Sequence, residues 1–205
     1  MKIPRLQKLG HGYWVTIGLL AAACAASSVL SVQYQLPARP SDPIPRTITL
    51  AFQDGRKTDA FLTPMARDEL ENFSNVFALT VSKRGGSGEL KGAYELAPLF
   101  REILRVRLEN AGLKVAAPGA KADAEFKFEL KEFKLDFGDR KWTALIAYNA
   151  LLLKDSSLLA QQVVNGSAER VKVIGKTDAE KVLGELLSDT INQMDLAALF
   201  KQAGL

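Results

Sequence analysis

The chain holds one histidine, His11, and one cysteine, Cys24, and both stand near its beginning. A Ser-His-Asp or Cys-His arrangement needs an imidazole beside its nucleophile, and a cysteine metal site or redox pair needs a second thiol. Neither can be assembled from the residues after Cys24. Carboxylates remain: Asp54, Asp59, Asp136 and Asp139 stand near the ends of apolar runs. Their spacing defines no pair suited to acid–base work and no alternating oxygen pattern of a calcium loop. The glycine-rich "RGGSGELKG" lacks the GxxxxGK[ST] spacing of a phosphate loop and reads as a connector. The expectation is a protein that is not an enzyme and uses no cofactor or metal.

Cys24 itself then carries the chemistry. Before it run the positive Lys2, Arg5 and Lys8, an apolar stretch from Tyr13 to Leu20, and the small Ala21, Ala22 and Ala23. A basic start, an apolar middle and a small-residue end form a secretory signal, so residues 1–23 are read as a signal peptide. Two other fates fit the same stretch: an uncleaved anchor from Tyr13 to Val32, about the length that spans a bilayer, and ordinary secretion. Lys2, Arg5 and Lys8 also account for most of the formal charge of +4. The chain from Cys24 onward is close to neutral, which argues against a nucleic-acid partner.

The elements after the signal must then hold a tethered domain. "QYQLPARPSDPIPRT" has four prolines and little periodicity. Residues 24–46, from Cys24 on, are therefore expected to be a flexible tether, with a single α+β domain over 47–205. "TITLAFQD" reads as its first strand, central in a sheet, and "NVFALTVSK" as another. Thr63 is expected to cap a short helix with Pro64 at its first position. Leu96, Leu99, Phe100, Ile103, Leu104 and Leu108 make one face of a helix that Gly112 ends.

In "ADAEFKFELKEFKLDFGD", Phe126, Phe128 and Leu130 share one parity, whereas Phe133, Leu135 and Phe137 take the other. A continuous strand needs a bulge near Lys131 to keep both sets on one core. "RKWTALIAYNALLLKD" and "LLAQQVVNGSAERVKV" complete an antiparallel meander with turns at "GD" and "SS", and Trp142 and Tyr148 read as packing residues. Thr177 and Glu180 have capping-box spacing before a stripe of Val182, Leu183, Leu186, Leu187, Thr190, Ile191 and Met194. Leu196, Leu199 and Phe200 continue it after a break near Asp195. The expected fold is α+β, a mainly antiparallel sheet with two amphipathic helices packed on one face. Its other face is left for water or a partner.

Cleavage before a cysteine after a Leu-Ala-Ala-Ala run resembles the lipobox of bacterial lipoproteins, with Leu20 one position further from the cysteine than that family places it. From Cys24 onward the chain resembles the YajG-type envelope lipoproteins. More distantly it resembles the auxiliary lipoprotein components of ABC-type lipid transport systems. The resemblance is carried by "ITLAFQD", "LFREILRVRLENAGLKV", "ADAEFKFELKEFKL", the closing helix, and a Tyr-x-Leu segment at Tyr34, Gln35 and Leu36.

It implies a diacylglyceryl group and acyl chains such as palmitate on Cys24, which would hold the domain on the membrane. Ala25 is compatible with delivery to the outer membrane, facing the periplasm. An envelope protein is the expected partner. A lipid is a further one, for which Phe126, Phe128, Leu145 and Leu151 are candidates to line an acyl groove.

Overall fold

The computed structural model describes residues 28–83 and 86–205; the signal segment, His11 and Cys24 lie outside the described residues. Three long strands dominate: β6 (Ala124–Gly138), β7 (Lys141–Lys154) and β8 (Ser157–Val171), paired antiparallel in sequence order. Asp139 and Arg140, then Asp155 and Ser156, turn the chain with φ near 48–64°. These are two-residue reversals whose twist matches the flanking strands. Each lies one residue from the dipeptide expected to form it. Register slips between Leu130 and Glu132, and this bulge puts Phe126, Phe128, Leu130, Phe133 and Leu135 on one buried face. β2 (Thr47–Asp54) lies inside this sheet, parallel to β6 on one side and to the short β5 (Lys114–Ala116) on the other.

A second sheet corrects the expected domain boundary. Ser28–Leu36 is not tether but β1, parallel to β3 (Phe73–Lys83), which pairs antiparallel with β4 (Gly88–Tyr94). Leu30, Val32, Tyr34 and Leu36 are buried, while Ser31, Gln33 and Gln35 point outward. That period of two is a half-buried strand. The prolines begin only at Pro37, and the irregular chain from there is held down by the Ile44 amide on the Ala111 carbonyl at 2.9 Å. β4 also takes up most of the glycine-rich stretch that reads as a connector.

The helices α2 (Leu96–Asn110) and α3 (Thr177–Asn192) fill the space both sheets face, and their apolar stripes join one core with the strands. The fold is α+β, with parallel and antiparallel pairs and helices packed against them. Thr63 caps α1 (Pro64–Glu69) through the Ala66 amide. Asp195 caps α4 (Leu196–Gln202) through the Ala198 amide. The capping box on α3 does not form. The Glu180 carboxylate instead takes the Ser31 amide of β1 at 2.9 Å, and the Asp178 carboxylate takes the Val173 and Ile174 amides at 2.7 Å each. Both side chains satisfy amides outside the helix.

Candidate docking surfaces

The carboxylates picked out by position are not gathered. Asp54 is gripped by the Arg56 side chain at 2.8 and 2.9 Å, which holds its pKa below the usual carboxylate range. Asp136 accepts from the Thr63 hydroxyl at 2.5 Å and from the Phe137 amide at 2.9 Å. Asp139 sits in the β6–β7 reversal and Asp59 is exposed. Among the described residues, no group of three or more His, Cys, Asp or Glu stands close enough to hold a metal ion.

The four candidates for an acyl groove are divided by the sheet. Phe126 and Phe128 are fully buried on the core side. Leu145 and Leu151 lie on the other face, opposite Lys134 and Lys127 of β6. Strand parity separates them, so they line no common groove.

One buried charge escaped sequence reading because it sits on an otherwise apolar helix face. Arg107 of α2 is 8% exposed, and among the described residues its guanidinium reaches only the Met194 carbonyl, at 3.4 Å. Burial lowers its pKa, while Tyr34, Tyr148 and Asp195 oppose that shift. Desolvation raises both tyrosine pKa values, and each hydroxyl is hydrogen-bonded: Tyr34 to Asn192 Oδ1 at 2.8 Å, Tyr148 to the Thr190 carbonyl at 2.7 Å. These contacts tie α2, α3 and both sheets together as structure.

Four strands end the two sheets, β1 and β4 in one, β5 and β8 in the other, and the fold treats β1 and β8 differently. β1 is closed by side chains of α3: Ser31 donates to Glu180, Gln35 donates to Ser188 Oγ at 2.9 Å, and Asn192 Nδ2 donates to the Gln35 carbonyl at 2.8 Å. The spacing explains the fit. Four helical residues rise about 6 Å and two strand residues about 6.6 Å, so positions 180, 184, 188 and 192 track the outward dipeptides of β1. Gly184 is the close approach, where a Cβ would stand 2.8 Å from the Gln33 carbonyl oxygen.

Among the described residues, no side chain closes the free edge of β8 in this way. The strand is 15 residues long and ends the five-stranded sheet. Beside it the outer face of β7 carries the half-buried Leu145, Ala147, Leu151 and Leu153, joined by the exposed Val163 and Leu158 of β8. Charge borders this aliphatic strip: Lys141 pairs with Glu169 at 2.9 Å, and Glu129 accepts from Lys131 at 2.6 Å and from Asn149 at 3.1 Å. An apolar centre with a polar rim is the composition of a protein contact surface. An uncovered strand edge offers backbone donors and acceptors to another chain.

Similar structures are found among solved bacterial proteins. The chain is similar to protein XCC0632 from Xanthomonas campestris, of the family model DUF330, with a TM-score of 0.56 and 15% identity over 87% of this chain and 97% of that one. It is also similar to the hypothetical protein CT253 from Chlamydia trachomatis (TM-score 0.41, 9% identity, covering 78% and 99%). A third similar structure is lipoprotein GNA1162 from Neisseria meningitidis (TM-score 0.30, 12% identity, covering 73% and 97%). No family model matches the chain, and no curated protein matches it. The likeness to XCC0632 is one of fold.

Proposed function

We propose that this chain is a non-enzymatic lipoprotein of the bacterial envelope, held by acyl chains on Cys24 and serving as a docking domain for a protein of an envelope assembly. The observation that carries the docking role is the β8 edge, uncovered among the described residues, beside the aliphatic strip of β7, in a fold that closes the edge of β1 with side chains of α3. The attachment rests on the signal-like segment before Cys24. Ala25 is compatible with delivery to the outer membrane, with the domain in the periplasm.

A narrower form makes the protein an auxiliary component of an ABC-type lipid transport system. It is favoured by the Tyr-x-Leu segment, whose Tyr34 and Leu36 are core residues of β1 and whose Tyr34 hydroxyl is fastened to α3. Here the chain supplies a docking surface for transporter subunits, since its apolar residues are divided by the sheet.

Mass spectrometry of the native protein tests the attachment: a diacylglyceryl-modified peptide beginning at Cys24 is expected, and an intact Met1-to-Cys24 region carrying a free thiol sinks it. A photoreactive residue in place of Val163, activated in intact cells, tests the docking. It should trap a defined envelope protein, and no adduct above that of a buried position counts against the β8 surface. Recovery of transporter subunits in the adduct selects the narrower form.

A further inference from the structure

We propose that the end of the domain where the chain arrives from Cys24 is a membrane-contact surface, with Val173 and Ile174 entering the interfacial layer of the bilayer. This rests on the acylation proposed above. Only Ala25, Ala26 and Ser27 separate Cys24 from the first residue of β1. Four Cα-to-Cα steps of 3.8 Å span at most about 15 Å. An acylated cysteine lies at the membrane surface, so this end of the domain is held within that distance of the headgroups.

What the fold puts there matches the site. Ser28 donates to the Asn72 carbonyl at 2.9 Å, and Lys176 Nζ reaches the Val29 carbonyl at 3.2 Å. The loop between β8 and α3 therefore stands beside the arriving chain. Its Val173 and Ile174 are 78% and 66% exposed, among the most exposed large apolar side chains of the described residues.

The pair is held out by its own backbone. Both amides are tied to the Asp178 carboxylate, so these two backbone donors are satisfied by the protein while the side chains stand exposed. Lys176 and the exposed Arg140 flank the pair, and Lys172 is paired with Glu69 over the Phe137 ring. Aliphatic tips beside cationic groups suit the headgroup layer of an anionic membrane. Glu71, next to Asn72, moderates the charge, so burial of Val173 and Ile174 and not attraction is the main contribution. The acyl chains fix position, and the loop sets the orientation that leaves the β8 edge upright for a partner.

The test uses the full-length, membrane-assembled protein. Cys24 is the chain's only cysteine, so once it is acylated a thiol introduced as Ile174→Cys or Leu158→Cys is the sole labelling site. Leu158 is comparably exposed, at 55%, but lies beyond the β7–β8 reversal, about 40 Å along β8 from Val171. Each variant is labelled with an environment-sensitive fluorophore and reconstituted in vesicles of phosphatidylethanolamine and phosphatidylglycerol containing a quencher-labelled lipid.

The Ile174→Cys probe should shift to the blue and be quenched several-fold more than the Leu158→Cys probe. Equal quenching at both positions, with Cys24 of the parent chain blocked to label, overturns the contact and leaves the anchor standing. Labelling of Cys24 in the parent overturns both. Shielding of position 174 in envelope fragments but not in pure lipid vesicles assigns the loop to a protein partner and overturns the contact.

Discussion

β1 and β8 are both terminal strands, one in each sheet, and they meet opposite fates. The outward Ser31 amide and the Gln35 amide and carbonyl of β1 are satisfied by a row of α3 side chains whose repeat nearly equals that of the strand. β8 packs one face on α3 and α4, but along its 15 residues β7 is the only strand paired with it among the described residues, so its far edge faces outward. Closing β1 required a glycine in mid-helix, at 184, and polar side chains in the same row at Glu180, Ser188 and Asn192. A glycine there costs about 1 kcal/mol of helix stability relative to alanine, so the closure is a specific feature and not a by-product of packing. One edge is structural and the other is available.

Breaking the closure should produce the largest effects. In Gly184→Val a branched side chain must occupy space 2.8 Å from a backbone oxygen that cannot move without shifting β1. Overpacking of this kind should cost roughly 3 kcal/mol and lower Tm by on the order of 8 °C, read by circular dichroism. Asn192→Ala comes next. It strands the buried Tyr34 hydroxyl and frees the Gln35 carbonyl, an expected loss of about 2 kcal/mol in urea unfolding. Ser188→Ala removes one acceptor, for the Gln35 amide, and should cost about 1 kcal/mol. If all three changes lie within experimental error of the parent, the α3 row does not close β1.

Much of this was legible in advance where the pattern is long and local. The stripes of α2 and α3, the bulge beside Lys131 and the meander follow from side-chain parity and helical spacing alone, because each element buries a continuous face. β1 escaped because its apolar alternation runs on from the signal-like segment, and its outward Ser31, Gln33 and Gln35 are residues a linker would also have. The partner that explains them, α3, is about 150 positions away. The same distance misdirected Glu180: its spacing from Thr177 suits a local cap, but a remote strand amide takes the carboxylate. The free face of β7 was legible from alternation, whereas which edge lies open depends on where α3 packs. Parity also undoes the expected acyl groove, since residues of unlike parity about the β6–β7 pairing cannot share a face.

The Asp178 clasp joins the two regions, since it holds the end of β8 against the start of the helix that closes β1. The Ile174 and Val173 amides hold the Asp178 pKa below its ordinary value. A carboxylate with a depressed folded pKa adds stability above its unfolded value, near 4, and loses that contribution as pH falls through the folded one. Asp178→Asn should therefore lower stability at neutral pH and flatten the acid side of the stability–pH curve below about pH 5, so that parent and variant converge in acid. An unchanged acid limb would show that the clasp contributes nothing to folding.

The smallest expected change in stability is at β8 itself, and there it is the most informative. Val163 is exposed on the outer face of the sheet, opposite Asn149, so Val163→Lys removes little buried area and introduces a charge that water can reach. Stability should stay within about 0.5 kcal/mol of the parent. If this strip and edge receive a partner, the same substitution places an ammonium group in a contact that is apolar at its centre, and removing that charge from water is unfavourable. Cell-envelope crosslinking through a photoreactive residue at the neighbouring Gln161 should then fall several-fold with Tm unchanged. Crosslinking that persists while Tm is unchanged would remove Val163 from the contact, and the distinction between a structural edge and an available one would need another surface to carry it.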